Sequence, residues 1–105
     1  MIARVLQPDE WPRIAHTGCR VDHRWAALAR KGYILVVEEA REIVGIAFIF
    51  LTDAAVPIID GLWIDVPYRR KVRVQRKLHQ SLGWALRDLL GPAAPPLRSV
   101  LMGAK

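Results

Sequence analysis

Between Arg69 and Lys77 the chain reads RRKVRVQRK, which places Arg69, Arg70, Lys71, Arg73, Arg76 and Lys77 within nine positions and no acid among them. Guanidinium and ammonium groups at this density hold anions, either as bidentate forks or as point charges on phosphate and carboxylate oxygens. The segment follows the apolar run IIDGLWID and the tripeptide VPY, and it leads into a periodic stretch. A turn from a strand into a helix is itself an anion site, because the first amides of the helix point free at whatever lies ahead of them. Turns that use those amides carry glycines, so that the main chain can approach a phosphate. This one carries none.

The charge balance isolates the segment from the rest of the surface. The 105 residues hold 16 Lys plus Arg against 10 Asp plus Glu, a formal net charge of +6. Without the six cations of 69–77, ten basic residues would face ten acidic ones, so the imbalance is a local patch. A second cluster, His16, Cys19 and His23, brings two imidazoles and the only thiol close together. It lacks paired metal-ligand spacing and reads as a polar loop with a free thiol; no metal site is expected. A single cysteine also excludes an intrachain disulfide.

The elements that must position the patch follow from periodicity. One domain over residues 1–105 is expected at this length, and 52% hydrophobic with 25% charged residues is a globular balance. No apolar run reaches the ~18 residues of a membrane span, and the N-terminus lacks the order of a secretion signal, so the expected location is cytoplasmic. Ile2 to Leu6 reads as a strand, and Pro8-Asp9-Glu10-Trp11-Pro12 as the start of a short helix. Asp22 reads as the cap of a second helix with Trp25, Leu28 and Ala29 on one face. YILVVEE and EIVGIAFIFL, joined by Glu39-Ala40-Arg41-Glu42, read as a hairpin whose second strand is covered on both faces. Ile58 to Ile64 is a third strong strand, and Val74, Leu78, Leu82, Ala85, Leu86 and Leu89 mark a helix from about Lys71 to Leu90. PAAPP reads as an extended connector to a last strand, Arg98 to Met102. Of the tryptophans, Trp84 lies off the main apolar stripe; core packing is expected for most of the four and an interface anchor for one.

This order, β-α-α-β-β-β-α-β, with a strand ending in LWIDVPYRRK before a long helix, resembles the N-acetyltransferases of the GNAT superfamily. The resemblance covers about Ile2 to Met102 and is most specific at positions 62 to 86. It implies a truncated GNAT-like α+β or α/β fold, with helices packed on a mainly antiparallel mixed sheet. It also implies an acetyl-CoA site in which Arg69, Arg70, Lys71, Val72, Arg73 and Val74 occupy the pyrophosphate loop. Both glycine positions of that loop are then valine; shifting the register by one makes them Arg73 and Gln75. The family's strand carboxylate leaves Asp60 and Asp65 as the only local candidates for a base. Its acid tyrosine has no counterpart, since no tyrosine follows Tyr68 and the chain ends at Lys105 before a further helix.

Three readings follow. The first is a GNAT-like scaffold that has lost acetyl transfer, needs no cofactor and acts as a binding or assembly module, self-associating or docking to a protein through an exposed sheet edge. By analogy, reduced folds suit small genomes such as those of phages, where a virion component or host-interaction protein would be the role. The second is an active acetyltransferase that holds acetyl-CoA by side-chain charge. The third is nucleic-acid or acidic-protein binding through Arg69 to Lys77, with Tyr68 stacking on a base. A solvated basic face that keeps the protein soluble is the plainest account of the same patch.

Overall fold

The apolar runs pair as neighbouring strands. A computed structural model describes residues 1–19, 32–98 and 100, without the Asp60 side chain. Its strands are β1 (Ile2–Val5), β2 (Gly32–Glu39), β3 (Glu42–Leu51) and β4 (Pro57–Ile64). They lie in the order β1-β2-β3-β4, and each neighbouring pair is antiparallel. One long helix, α1 (Val72–Leu90), packs on this sheet, so the architecture is α+β.

Side chains of β2 and β3 point alternately into two cores. Leu35, Val37, Ala47 and Ile49 face α1, where they meet Val74, Leu78, Leu82, Ala85 and Leu86. Ile34, Val36, Ile43 and Ile46 face the other way and meet Leu6, Ile14 and Trp11. β3 is therefore buried on both faces, as its unbroken apolar run requires. Two register shifts bend the sheet. One sets Val37 opposite Gly45 but Glu38 opposite Ile43, and so makes Val44 the extra residue. The other falls between Ala47 and Ile49, opposite Leu62 and Ile59. At that second bulge Gly61 has φ +110°, which L side chains rarely adopt, and a Cβ there would stand 3.1 Å from the Phe48 ring.

Three expectations need correction or fall outside the described chain. The first helix, Pro8–His16, is a 3-10 helix; in an α-helix the Pro12 ring would press on the carbonyl of Pro8, four residues back. The last strand does not form at its described residues. Leu97, Arg98 and Val100 are helical, and the Val100 amide reaches the Pro96 carbonyl at 3.4 Å. The described strands thus form no parallel pair, and the sheet is antiparallel and not mixed. The predicted helix from Asp22 through Trp25 and Leu28 lies outside the described residues, as does His23.

A polar staple holds the 3-10 helix to the sheet. Arg4 donates to both Glu10 oxygens, at 2.7 and 2.5 Å, and also to Glu38. Arg13 donates to Glu10 at 3.1 Å, to Glu38 at 3.0 Å and to the Arg41 carbonyl at 2.9 Å. Arg4's hydrogen bond, ahead of a smaller contribution from Arg13, holds the Glu10 carboxyl down to about 2 from an ordinary 4.5. Burial pushes Glu38 up, but the hydrogen bonds and charges of Arg4 and Arg13 outweigh it and leave the group lowered. The same contacts raise Arg4 above its usual value. The Arg13–Arg41 bond also pins the β2–β3 turn, where Ala40 at φ 50° and Arg41 at φ 67° both take the left-handed conformation.

Two outcomes follow from this staple and turn. Folded-state pKa values below the unfolded ones make the carboxylates stabilising above about pH 4.5, and that contribution drains away as pH falls towards 2. Thermal melts from pH 7 to 3 should show a falling midpoint that is shallower in Glu10→Gln. Arg41→Gly relieves a left-handed non-glycine residue and keeps the carbonyl that Arg13 binds. It should stabilise the fold by roughly 0.5–1 kcal/mol in urea unfolding.

Candidate functional site

The basic segment begins where β4 runs out of partners. The Asp65 amide still reaches the Val44 carbonyl at 2.8 Å, and then the chain turns through a short 3-10 helix, Val66–Tyr68. The Asp65 carboxylate accepts from the Val66 amide at 3.0 Å and caps this turn. Tyr68, Arg69 and Lys71 amides continue it with i to i−3 bonds to Asp65, Val66 and Tyr68 carbonyls. Arg69 bends back so that its Nε donates to the Ile64 carbonyl at 2.8 Å. The Lys71 ammonium lies 5.0 Å from the centre of the Tyr68 ring, a cation–π contact.

Helix α1 then starts at Lys71, an N-cap residue with no capping side chain, and has no acid in its first turn. The Val74 amide has a long bond of 3.4 Å to the Lys71 carbonyl. Among the described residues nothing accepts from the amides of Arg70, Val72 or Arg73. Around these amides stand six cations with no acidic cap, and the dipole favours an anion at this end. Arg69, Arg70, Lys71, Arg73 and Arg76 are exposed and Lys77 is half-buried.

The two valines at the expected glycine positions do different work. Val74 is fully buried and faces β3. A Cβ on Gly45 would stand 2.9 Å from Val74 Cγ1 and 3.2 Å from Leu78 Cδ1, so a glycine in the strand lets the start of the helix close onto the sheet. Val72 is 55% exposed and sets a branched side chain beside the free amides. No residue from Asp65 to Gln75 has positive φ, so no position in this turn needs glycine for its backbone angle. What glycine would provide here is bare main chain. In the shifted register, exposed Arg73 and Gln75 occupy that space instead.

Asp65 is engaged as the turn's cap, and the Asp60 side chain lies outside the described residues. On the sheet face opposite α1, a cleft of about 350 Å³ is lined by Arg13, His16, Arg41, Trp63 and Asp65 among others. Cys19 is half-buried, and burial raises its thiol pKa. Among the described residues no group of three or more His, Cys, Asp or Glu is placed to hold a metal ion, and no helix is long and apolar enough to cross a membrane.

Sequence reasoning left two features unseen. Gly45 gives no local sign that a helix some thirty residues on will press against it. At the flank of α1 beside β2, the Tyr33 hydroxyl donates to the Asp88 carboxylate, and the Tyr33 and Trp84 rings lie 5.4 Å apart at 38°. The hydrogen bond to Asp88, with burial second, raises the Tyr33 pKa.

The contact between helix and strand is open to a double-mutant cycle. Gly45→Ala should cost about 1–3 kcal/mol by overpacking, and Val74→Ala alone on the order of 2 kcal/mol. Together they should cost less than the sum, because the smaller side chain at 74 accepts the new methyl group. Urea unfolding of the four proteins checks this. No protein family, curated protein or solved structure matches the chain.

Proposed function

We propose that the chain is a GNAT-like scaffold that no longer transfers acetyl groups and serves as a binding or assembly module. The observation that carries this reading is the filled turn. Val74 is a core residue packed against Gly45, and Val72 sets a branched side chain at the first position of α1, where a diphosphate would need bare amides. The one candidate base with a described side chain, Asp65, is spent on the turn. Side-chain charge has replaced backbone grip.

Surface features favour a macromolecular partner. Among the described residues β4 pairs only with β3, and an outer strand left uncovered offers its backbone groups to a partner. Leu62 on that strand, Val66 in the turn after it and Val72 at the head of α1 are 46%, 67% and 55% exposed. Docking to a protein partner, self-association or a place in a virion belongs to this same reading. The free amides of Arg70, Val72 and Arg73 favour one competing reading, an acetyltransferase whose phosphate site is built from charge.

Calorimetry with acetyl-CoA separates the two. The binding-module reading expects no heat and no thermal shift at millimolar ligand. Saturable heat at one equivalent, lost in Arg70→Gln/Arg73→Gln, would instead make the charge-based acetyl-CoA site the correct account.

A further inference from the structure

We infer that the outer face of α1 binds single-stranded nucleic acid, with Trp84 as the stacking platform and the surrounding cations on the phosphates. The inference rests on the binding-module reading above and names the partner. Arg73, Lys77, Gln80, Trp84 and Arg87 follow one another at i, i+4, i+7, i+11 and i+14, with Arg76 alongside, and so form a stripe along the helix. The stripe is roughly 21 Å long at 1.5 Å per residue. It lies opposite the buried row of Val74, Leu78, Leu82 and Leu86. Asp88 is the only acid in α1, and it accepts the Tyr33 hydroxyl. An ordinary surface helix mixes its charges; this one carries a single sign from Arg73 to Arg87.

Trp84 is 47% exposed yet held in place. Tyr33 packs against it at 5.4 Å between ring centres, and Asp88 holds Tyr33 in turn. A ring fixed on one side and open on the other is pre-organised for stacking. Tyr68 is a poorer platform, because the Lys71 ammonium lies over its ring.

The surroundings of Trp84 discriminate among anionic partners. A membrane-surface helix dips an apolar face into lipid, but the apolar face of α1 is in the core. A protein hot spot sets its tryptophan in a dry apolar ring, whereas along the helix Trp84 is bordered by Gln80, Ser81, Arg87 and Asp88, and the one acid among them is taken up by the Tyr33 hydroxyl. Cations interleaved with an aromatic ring suit a chain of phosphates and bases. The strand must be single, because a duplex keeps its bases stacked on each other. Arginine predominates among the cations, which matches the forked geometry of phosphate recognition.

Fluorescence anisotropy with a labelled twenty-nucleotide oligo-dT in low salt tests this. We expect saturable binding whose log–log salt slope is about −3, at roughly 0.7 per phosphate neutralised for four to five contacts. Trp84→Ala should weaken binding by about 5- to 150-fold without changing the slope, and Trp84→Phe should recover most of it. Arg73→Gln/Arg76→Gln/Arg87→Gln should flatten the slope; all three side chains are exposed, and melting curves will show that the fold is kept. Absence of binding at low salt overturns the proposal, as does full affinity in Trp84→Ala or equal affinity for the duplex. Tighter binding to phosphatidylserine vesicles or polyglutamate overturns it in favour of a membrane or an acidic protein. If the oligonucleotide fails while acetyl-CoA is also silent, only this inference falls and the scaffold reading stands.

Discussion

Strand β3 has no face to give to water, and the rest of the molecule is arranged to cover it. Its run from Ile43 to Phe50 feeds two cores, one closed by α1 and the other by the 3-10 helix Pro8–His16. On the α1 side the closure depends on Gly45. Only a residue without a side chain lets Val74 and Leu78 settle onto the strand. That contact fixes where α1 begins, and so where the turn before it must run. The basic segment has its place because the first turn of the helix is pinned by packing.

This constraint explains why the turn before α1 runs without glycine. The backbone of Asp65 to Gln75 stays in ordinary conformations, and its shape comes from the Asp65 cap, the Arg69 bond to Ile64 and the buried Val74. Valine at 72 and 74 is then unstrained, although it is stiff and branched. The amides at the head of α1 are flanked by side chains, Val72 among them. On the other sheet face, Arg4, Glu10, Arg13 and Glu38 do by charge what Gly45 does by absence, holding the N-terminal layer to the sheet.

Much of the fold was legible because its signals are local. Two β-rich apolar runs marked β2 and β3, Glu39-Ala40-Arg41-Glu42 between them marked the hairpin, and the spacing of Val74, Leu78, Leu82 and Leu86 marked α1. What escaped was long-range or ambiguous. Pro12 turns an apparent α-helix into a 3-10 helix, and Pro95-Pro96, read as an extended connector, suits the first turn of a helix equally well. Of the site, the cation cluster was visible as composition. The Trp84–Tyr33–Asp88 arrangement was not, because it joins residues 55 positions apart. Nor could sequence show that Asp65 caps a turn.

The central claim is that the amides at the head of α1 are no longer a cradle for a small diphosphate, and that the charged side chains are what a partner meets. Backbone amide NMR during an acetyl-CoA titration tests it at the atoms concerned. The account predicts that the Arg70, Val72 and Arg73 resonances stay where they are at millimolar ligand. Saturable shifts at those three amides, with Val74 moving alongside, would contradict it.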